Sequence, residues 1–389
     1  TGFTVQYSID GGTYNTSPST STPGCHTVKA RYILTSACGS TAANTPSIAT
    51  CLESNTVSVV IYPAAPTIST PANTCAAMFS LPTVSAVTGF TVQYSIDGGT
   101  YATSPSTTTP GCHTIQARYV LTSACGSTSA LATAPAGCLE SNTVSAVIFP
   151  TAPTMTAISN TCNTTLASIT AVASVTDFTA EYAVQAPGGS LSAYDDLTTA
   201  NSLLDNTPGC WTIKARYKLT AACGITSADA VGTGGCAEST INAVVFPLAP
   251  VITAPANTCS GFPFILPTVT AVPGFTVQYS INSGTLSASP TIPITAGTHT
   301  VEARYVLTSA CGGTAANTAG SGSCGVSNLV SVTINTAPVA TGSYQIFTCD
   351  KTATLTASGI SGGTTVSWQY ASGPVNPTGT STANPLLAT

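Results

Sequence analysis

Apolar and polar residues alternate in short runs through most of the chain, and no stretch carries a helical period. Phe90, Val92, Tyr94 and Ile96 fall on one face of an extended segment, with Thr91, Gln93 and Ser95 on the other. That is the pattern of a strand with one buried face. Asp97-Gly98-Gly99 follows it as a strong hairpin-turn signal. Upstream, an entry segment over 66–81 carries Cys75, and 83–87 alternates as a further strand. Downstream, the pattern predicts a long strand from Cys112 towards Cys125 and a closing strand over 142–149. Some seven short strands punctuated by Gly and Pro predict an all-β fold of immunoglobulin-like antiparallel β-sandwich type.

The same pattern returns along the chain. The long strand begins Pro23-Gly24-Cys25-His26-Thr27 and has counterparts opening at Pro110, Pro208 and Ala296. Cys25, Cys38, Cys51 and Cys75 recur 87 positions later as Cys112, Cys125, Cys138 and Cys162. They recur again as Cys210, Cys223, Cys236 and Cys259. The fourth copy keeps Cys311, Cys324 and Cys349 but has Thr298 in the first position. Repeats of this length are whole small domains rather than solenoid units. The expected division is 1–64 (the C-terminal part of a module), 65–151, 152–248 (with a loop insertion), 249–336 and 337–389 (the N-terminal part of another). The opening and closing halves suggest a window on a longer processed protein. Very short Pro-containing joints such as Pro63-Ala64-Ala65-Pro66 favour extended backbone, so a tandem array forming a stiff rod is expected.

Pairing arguments give a disulfide scheme. If Cys38 and Cys51 bridge the base of a hairpin, Val28 faces Ile61, Ala30 faces Val59 and Tyr32 faces Val57, all apolar on one face. Cys25 and Cys38 lie at opposite ends of one strand, about 40 Å apart at roughly 3.3 Å per residue, and cannot pair. Cys75 is then left for Cys112. The within-repeat scheme is Cys38–Cys51, Cys75–Cys112, Cys125–Cys138, Cys162–Cys210, Cys223–Cys236 and Cys311–Cys324, with Cys259 a free thiol because Thr298 replaces its partner. Each bridge is worth about 3–4 kcal/mol in the chain-entropy model. A competing scheme joins repeats, as Cys51 with Cys75.

Composition narrows the function classes. Only 5% of residues are charged and the net charge is -5, which leaves no basic patch for nucleic acid and no polybasic anchor for acidic lipid. No apolar run reaches membrane-spanning length. Fifteen cysteines without any Cys-x-x-Cys spacing, and three histidines in separate repeats, fit disulfides in an extracellular or cell-surface setting rather than metal sites. His26, His113 and His299 share a position with Trp211, so the position packs rather than ligates. Arg31, Arg118, Arg216 and Arg304 recur on the solvent side of the long strand, and a structural role is expected, bonding an acceptor on a neighbouring strand. The Glu53 side chain falls out of register with Arg31. Asp10 and Asp97 stabilise turns. Only Asp195, Asp196 and Asp205 in the third-repeat insertion have any density that calcium would need. No catalytic arrangement stands out; no enzyme activity, metal or cofactor is expected.

The strings Val5-Gln6-Tyr7-Ser8-Ile9-Asp10-Gly11-Gly12 and Ala296-Gly297-Thr298-His299-Thr300-Val301 resemble the Ig-like tandem repeats of giant Bacteroidota surface proteins, the SprB-type gliding adhesins and related secreted fibres. The resemblance covers all four repeats at motif level. It implies type 9 export, an extracellular or surface location and a stalk or adhesin role. The expected function is a non-catalytic stalk of a long fibre whose partners are its own neighbouring modules. The alternatives are an adhesin whose loops over 39–50, 126–137 and 224–235 and whose insertion bind glycans or other cells, and a subunit of a laterally assembled filament.

Overall fold

The computed structural model describes residues 2–46, 53–135 and 139–336, together with the short strands Val339–Thr341, Ala353–Ser358 and Leu386–Ala388. The described chain is almost wholly β. Repeat one forms β1 (Phe3–Ile9), β2 (Gly24–Leu34) and β3 (Val57–Ile61), in spatial order β1-β2-β3. Repeat two adds an entry strand. Its β4 (Thr74–Cys75), β5 (Phe90–Ile96), β6 (Gly111–Leu121) and β7 (Val144–Phe149) are ordered β4-β7-β6-β5. The third sheet, of β8 (Thr161–Cys162), β9 (Phe178–Gln185), β10 (Gly209–Leu219) and β11 (Ser239–Phe246), has the same order. So does the fourth, of β12 (Thr258–Cys259), β13 (Phe275–Ile281), β14 (Gly297–Leu307) and β15 (Val330–Asn335).

The hairpin register is set by the alternation itself: Phe90 lies opposite Leu121 and Ile96 opposite Ile115. The closing strand pairs only with the first half of the long strand. Val28 faces Val57, His26 faces Val59 and Gly24 faces Ile61. The expected pairs Val28–Ile61, Ala30–Val59 and Tyr32–Val57 are therefore displaced by four positions. Side chains repeat with period two, so an even slip preserves which face each residue occupies. The cause lies in Ser54. Its Oγ accepts from the Ala30 N–H at 2.9 Å and its N–H donates to the Ala30 carbonyl at 2.8 Å, which ends the ladder early. Ser141 does the same to Ala117, and Ser327 to Ala303.

Residues 83–87, expected as a strand, form no ladder. The entry segment instead lies over the sheet as an irregular second layer. Ile68 and Phe79 close a core with Ile115, Ala117, Val144, Ala146 and Ile148. Ile252 and Phe264 do so with Val301, Ala303, Val332 and Ile334. The insertion of repeat three contains the one α-helix among the described residues, α1 (Leu197–Ser202), with Asp196 Oδ1 accepting from the Thr199 N–H.

The chain divides into two compact units. One comprises Thr1–Met155, Ala171–Tyr182 and Lys214–Ser239, the other Thr156–Thr170, Ala183–Ile213 and Thr240–Thr389. Among the described residues no helix is long and apolar enough to cross a membrane.

Candidate functional site at the seams between repeats

Among the described residues, five disulfides join cysteines of successive repeats: Cys25–Cys125, Cys112–Cys223, Cys210–Cys311, Cys75–Cys236 and Cys162–Cys324, each with Cα atoms 5.7 Å apart. The within-repeat pairs Cys75–Cys112, Cys162–Cys210, Cys223–Cys236 and Cys311–Cys324 are thus corrected. So is Cys125–Cys138, whose first member bonds Cys25. Cys51 and Cys138 lie outside the described residues, and Cys38 is a free, exposed thiol. Cys259 is also free. Its counterparts Cys75 and Cys162 bond cysteines of the following repeat, so replacing Cys112 by Thr298 has no bearing on it.

Two rules describe the wiring. The cysteine that starts a long strand bonds the turn cysteine of the next repeat. The cysteine of an entry strand bonds the one that closes the variable loop of the next repeat, at the 3-10 helices Gly234–Cys236 and Gly322–Cys324. Cys25 and Cys38, at the two ends of one strand, are not bonded to each other, and each described partner lies in a different repeat.

Local sequence builds the receiving end of each seam. Cys125 and Thr128 exchange backbone hydrogen bonds at 2.8 and 2.9 Å, a tight turn repeated at Cys223 with Thr226 and Cys311 with Thr314. The glycine after each turn cysteine has positive φ, +57° at Gly126 and +58° at Gly224. A Cβ on Gly126 would stand 2.7 Å from Ser58, and one on Gly224 2.9 Å from Ser145. Both glycines are required twice over, by conformation and by the neighbouring repeat.

The giving end supplies apolar side chains. Val60 and Tyr62 pack on Phe90, Tyr119, Leu121 and Cys125. Val147 and Phe149 pack on Phe178, Tyr217, Leu219 and Cys223. Val244 and Phe246 pack on Phe275, Tyr305, Leu307 and Cys311. The aromatic pairs Tyr62–Phe90, Phe149–Phe178 and Phe246–Phe275 have centroids 5.6, 5.8 and 6.0 Å apart, a favourable range. Asn73 accepts from the Val147 N–H and donates to Thr226 Oγ1, each at 2.9 Å; Asn160 links Val244 to Thr314 likewise.

The residues singled out for chemistry bond inside their own repeats. Arg31 donates twice to Gln6 Oε1, at 3.2 and 2.9 Å, and stacks 4.0 Å over Tyr14. Arg118 repeats this with Gln93 and Tyr101. Burial, and after it Glu140, push the Tyr101 phenol up to about 12. Arg216 bonds Glu181, which also pairs with Lys218 at 2.6 Å, and Arg304 bonds Gln278 at 3.1 Å. Glu53 pairs with Lys29, not Arg31. Among the described residues no group of three or more His, Cys, Asp or Glu could hold a metal ion.

The histidines clasp the hairpin turn. His26 Nδ1 lies 2.6 Å from Asp10 Oδ2 and Nε2 lies 2.7 Å from the Thr22 carbonyl, so both ring nitrogens face acceptors. His113 repeats this with Asp97 and Thr109. Trp211 Nε1 donates to the Thr207 carbonyl in the same place. The Asp10 hydrogen bond and then the Thr22 carbonyl raise the His26 pKa, and the His26 bond foremost lowers that of Asp10. His26 therefore contributes stability that is fully present below about pH 6.5 and is lost as pH rises through its raised value. The Asp10 contribution is present above its unfolded value and is lost as pH falls through the lowered one. An NMR titration of the His26 ring should give a midpoint above 6.5 that drops in Asp10→Asn; a wild-type midpoint at or below the unperturbed value would contradict the clasp.

No protein-family model matches the chain, and no curated protein sequence matches it. Solved structures give distant likenesses. SGBP-B of the Bacteroides ovatus mixed-linkage glucan utilization locus, solved in complex with a mixed-linkage heptasaccharide, is 13% identical with a TM-score of 0.16, over 70% of this chain and 68% of its own. Drosophila N-cadherin EC1-4 is 9% identical with a TM-score of 0.20, over 86% and 92%. The titin I-band fragment I67-I69 is 11% identical with a TM-score of 0.23, over 71% and 99%. At these scores the likenesses carry no argument about what this chain binds.

Proposed function

We propose that the chain is a non-catalytic structural segment of an extracellular or cell-surface fibre, in which repeats in tandem transmit tension through disulfides. The observation that carries this reading is the wiring of the long strands. From Cys25 the covalent path jumps to Cys125, runs back along β6 to Cys112, jumps to Cys223, runs back along β10 to Cys210 and jumps to Cys311. Bonds from each strand start to the next repeat's turn put the long strands in one covalent series, which bonds closed inside each repeat would not do. The five bonds also require an oxidising compartment, which supports the extracellular setting. The partners this assigns are the neighbouring repeats themselves. Single-molecule stretching of the oxidised and reduced chain tests the reading. Equal extension in both states would sink it.

A further inference from the structure

Among the described residues, nothing covers the receiving end of repeat one. The Cys38 turn is already formed: Cys38 and Thr41 exchange backbone hydrogen bonds at 2.9 and 3.0 Å, as Cys125 does with Thr128. Gly39 has φ +61°, matching Gly126 and Gly224, yet nothing lies within 4 Å of where its Cβ would stand. Cys38 is exposed, whereas Cys125, Cys223 and Cys311 are buried. Phe3 and Tyr32 are 57% and 58% exposed, against 8% and 4% for Phe90 and Tyr119. In the later repeats part of that cover comes from the repeat's own entry segment, as Val84 and Val87 do for Phe90. The Cys38 sulfur and the Gly39 slot are specific to the seam. At the equivalent places a strand of the preceding repeat fills both, with Ser58, Ser145 or Asn242 against the glycine.

We infer that this face is a covalent docking site for one more repeat of the same kind, immediately N-terminal in the same polypeptide. The occupant must supply a cysteine at the start of its long strand, to bond Cys38. It must also supply a small side chain to sit on Gly39, and a Val-x-aromatic end on its closing strand to cover Phe3 and Tyr32. Two thiols become one disulfide with loss of two electrons and two protons, and the oxidant is the thiol–disulfide exchange machinery of an oxidising compartment. The inference rests on the seam geometry and not on the mechanical reading, so either can fail alone.

The polar far end of repeat four marks the occupant's chemistry by contrast. There Thr298 stands opposite Thr333, where Cys25 stands opposite Val60 and Cys112 opposite Val147. Asn335 replaces Tyr62 and Phe149. A repeat ending like repeat four lacks both the bond and the apolar cover, so repeat four of a second copy does not qualify.

Residues 1–14 and 88–101 are identical. Fusing a second copy of 1–87 ahead of the whole chain therefore recreates the natural junction at Thr1. In the 389-residue chain Cys38 should react fully with iodoacetamide without reduction. In the extended chain its labelling should fall at least tenfold, with Cys38 linked to Cys25 of the added segment. Cys25→Ser in that segment should restore it. Persistent labelling while Cys125 stays bonded would overturn the inference. In native material the Cys38 peptide should be disulfide-linked to a Gly-Cys-aromatic-Thr peptide at the mass of a single chain. A free Cys38, a link to Cys51, or a doubled mass before reduction would each overturn it, whether or not the extended chain folds.

Discussion

Pulled between residues 25 and 311, the oxidised chain should stop extending near 110 Å, and the reduced chain should run out to about 1,000 Å. The two points are 286 positions apart, and at roughly 3.5 Å per residue that gives the larger figure. With the three strand-to-turn bonds intact, the taut path contains only the 13 steps from Cys112 to Cys125 and the 13 from Cys210 to Cys223. Those 26 steps span about 90 Å, and three bridges with Cα atoms 5.7 Å apart supply the rest. Unfolding the repeats adds nothing to this limit, because every other segment hangs from the path as a slack loop. Tension runs through β6 and β10, the long strands at the centre of their sheets. The measurement also separates the two wirings. A scheme closing bridges inside each repeat would leave an oxidised extension of about 600 Å. A plateau at that length would refute the seams along with the function proposed from them.

Much of the architecture was readable from residues alone. The alternation over 90–96 gives β5 with its bounds, and the repeated cysteine set marks the recurrence of the sheets. The expected and observed registers put each residue on the same face because they differ by four positions, an even number. What was not readable was the partner of each cysteine. A shift of 87 carries every cysteine onto its copy whether bonds run within repeats or between them, so the spacing holds no information on the choice. Side chains did hold some. In repeat four the strand-start cysteine, the valine opposite it and the following aromatic are all replaced, by Thr298, Thr333 and Asn335. Three losses at one end of one repeat mark a shared surface, not three independent positions. The entry segment differs from its expected strand for another reason. Period-two alternation reports an extended chain over a core, and residues 83–87 are that without being hydrogen-bonded into a sheet. The histidine position shows the limit from the other side: exchange with Trp211 identifies a packed ring, but the Asp10 contact depends on a turn residue 16 positions away.

The seams should also dominate stability once the disulfides are reduced. Phe178→Ala is expected to cost about 3–5 kcal/mol, the range for removing a buried aromatic ring. Phe178 is 8% exposed, meets Phe149 at 5.8 Å and shares its cluster with Tyr217 and Leu219. Its counterpart Phe3 is 57% exposed and meets Tyr32 edge-on at 6.4 Å. Phe3→Ala should therefore cost less than about 1 kcal/mol. Denaturant unfolding under reducing conditions reads both. Reduction matters, since a covalent brace would hold the neighbouring repeat in place and hide part of the loss. The same local sequence, Phe-Thr at the start of a hairpin strand, then carries several-fold different weight according to what lies beside it. Equal costs at the two positions would mean that the aromatic serves its own hairpin and that the seam contributes little. A large cost at Phe178 alone would mean that the aromatic draws stability from its own entry segment, with Val172 and Val175, and from the repeat before it, with Phe149, cover that Phe3 lacks. In the chain extended by a second copy of 1–87, the cost of Phe3→Ala should then rise to that of Phe178→Ala, because the added segment supplies both an entry segment and a giving end.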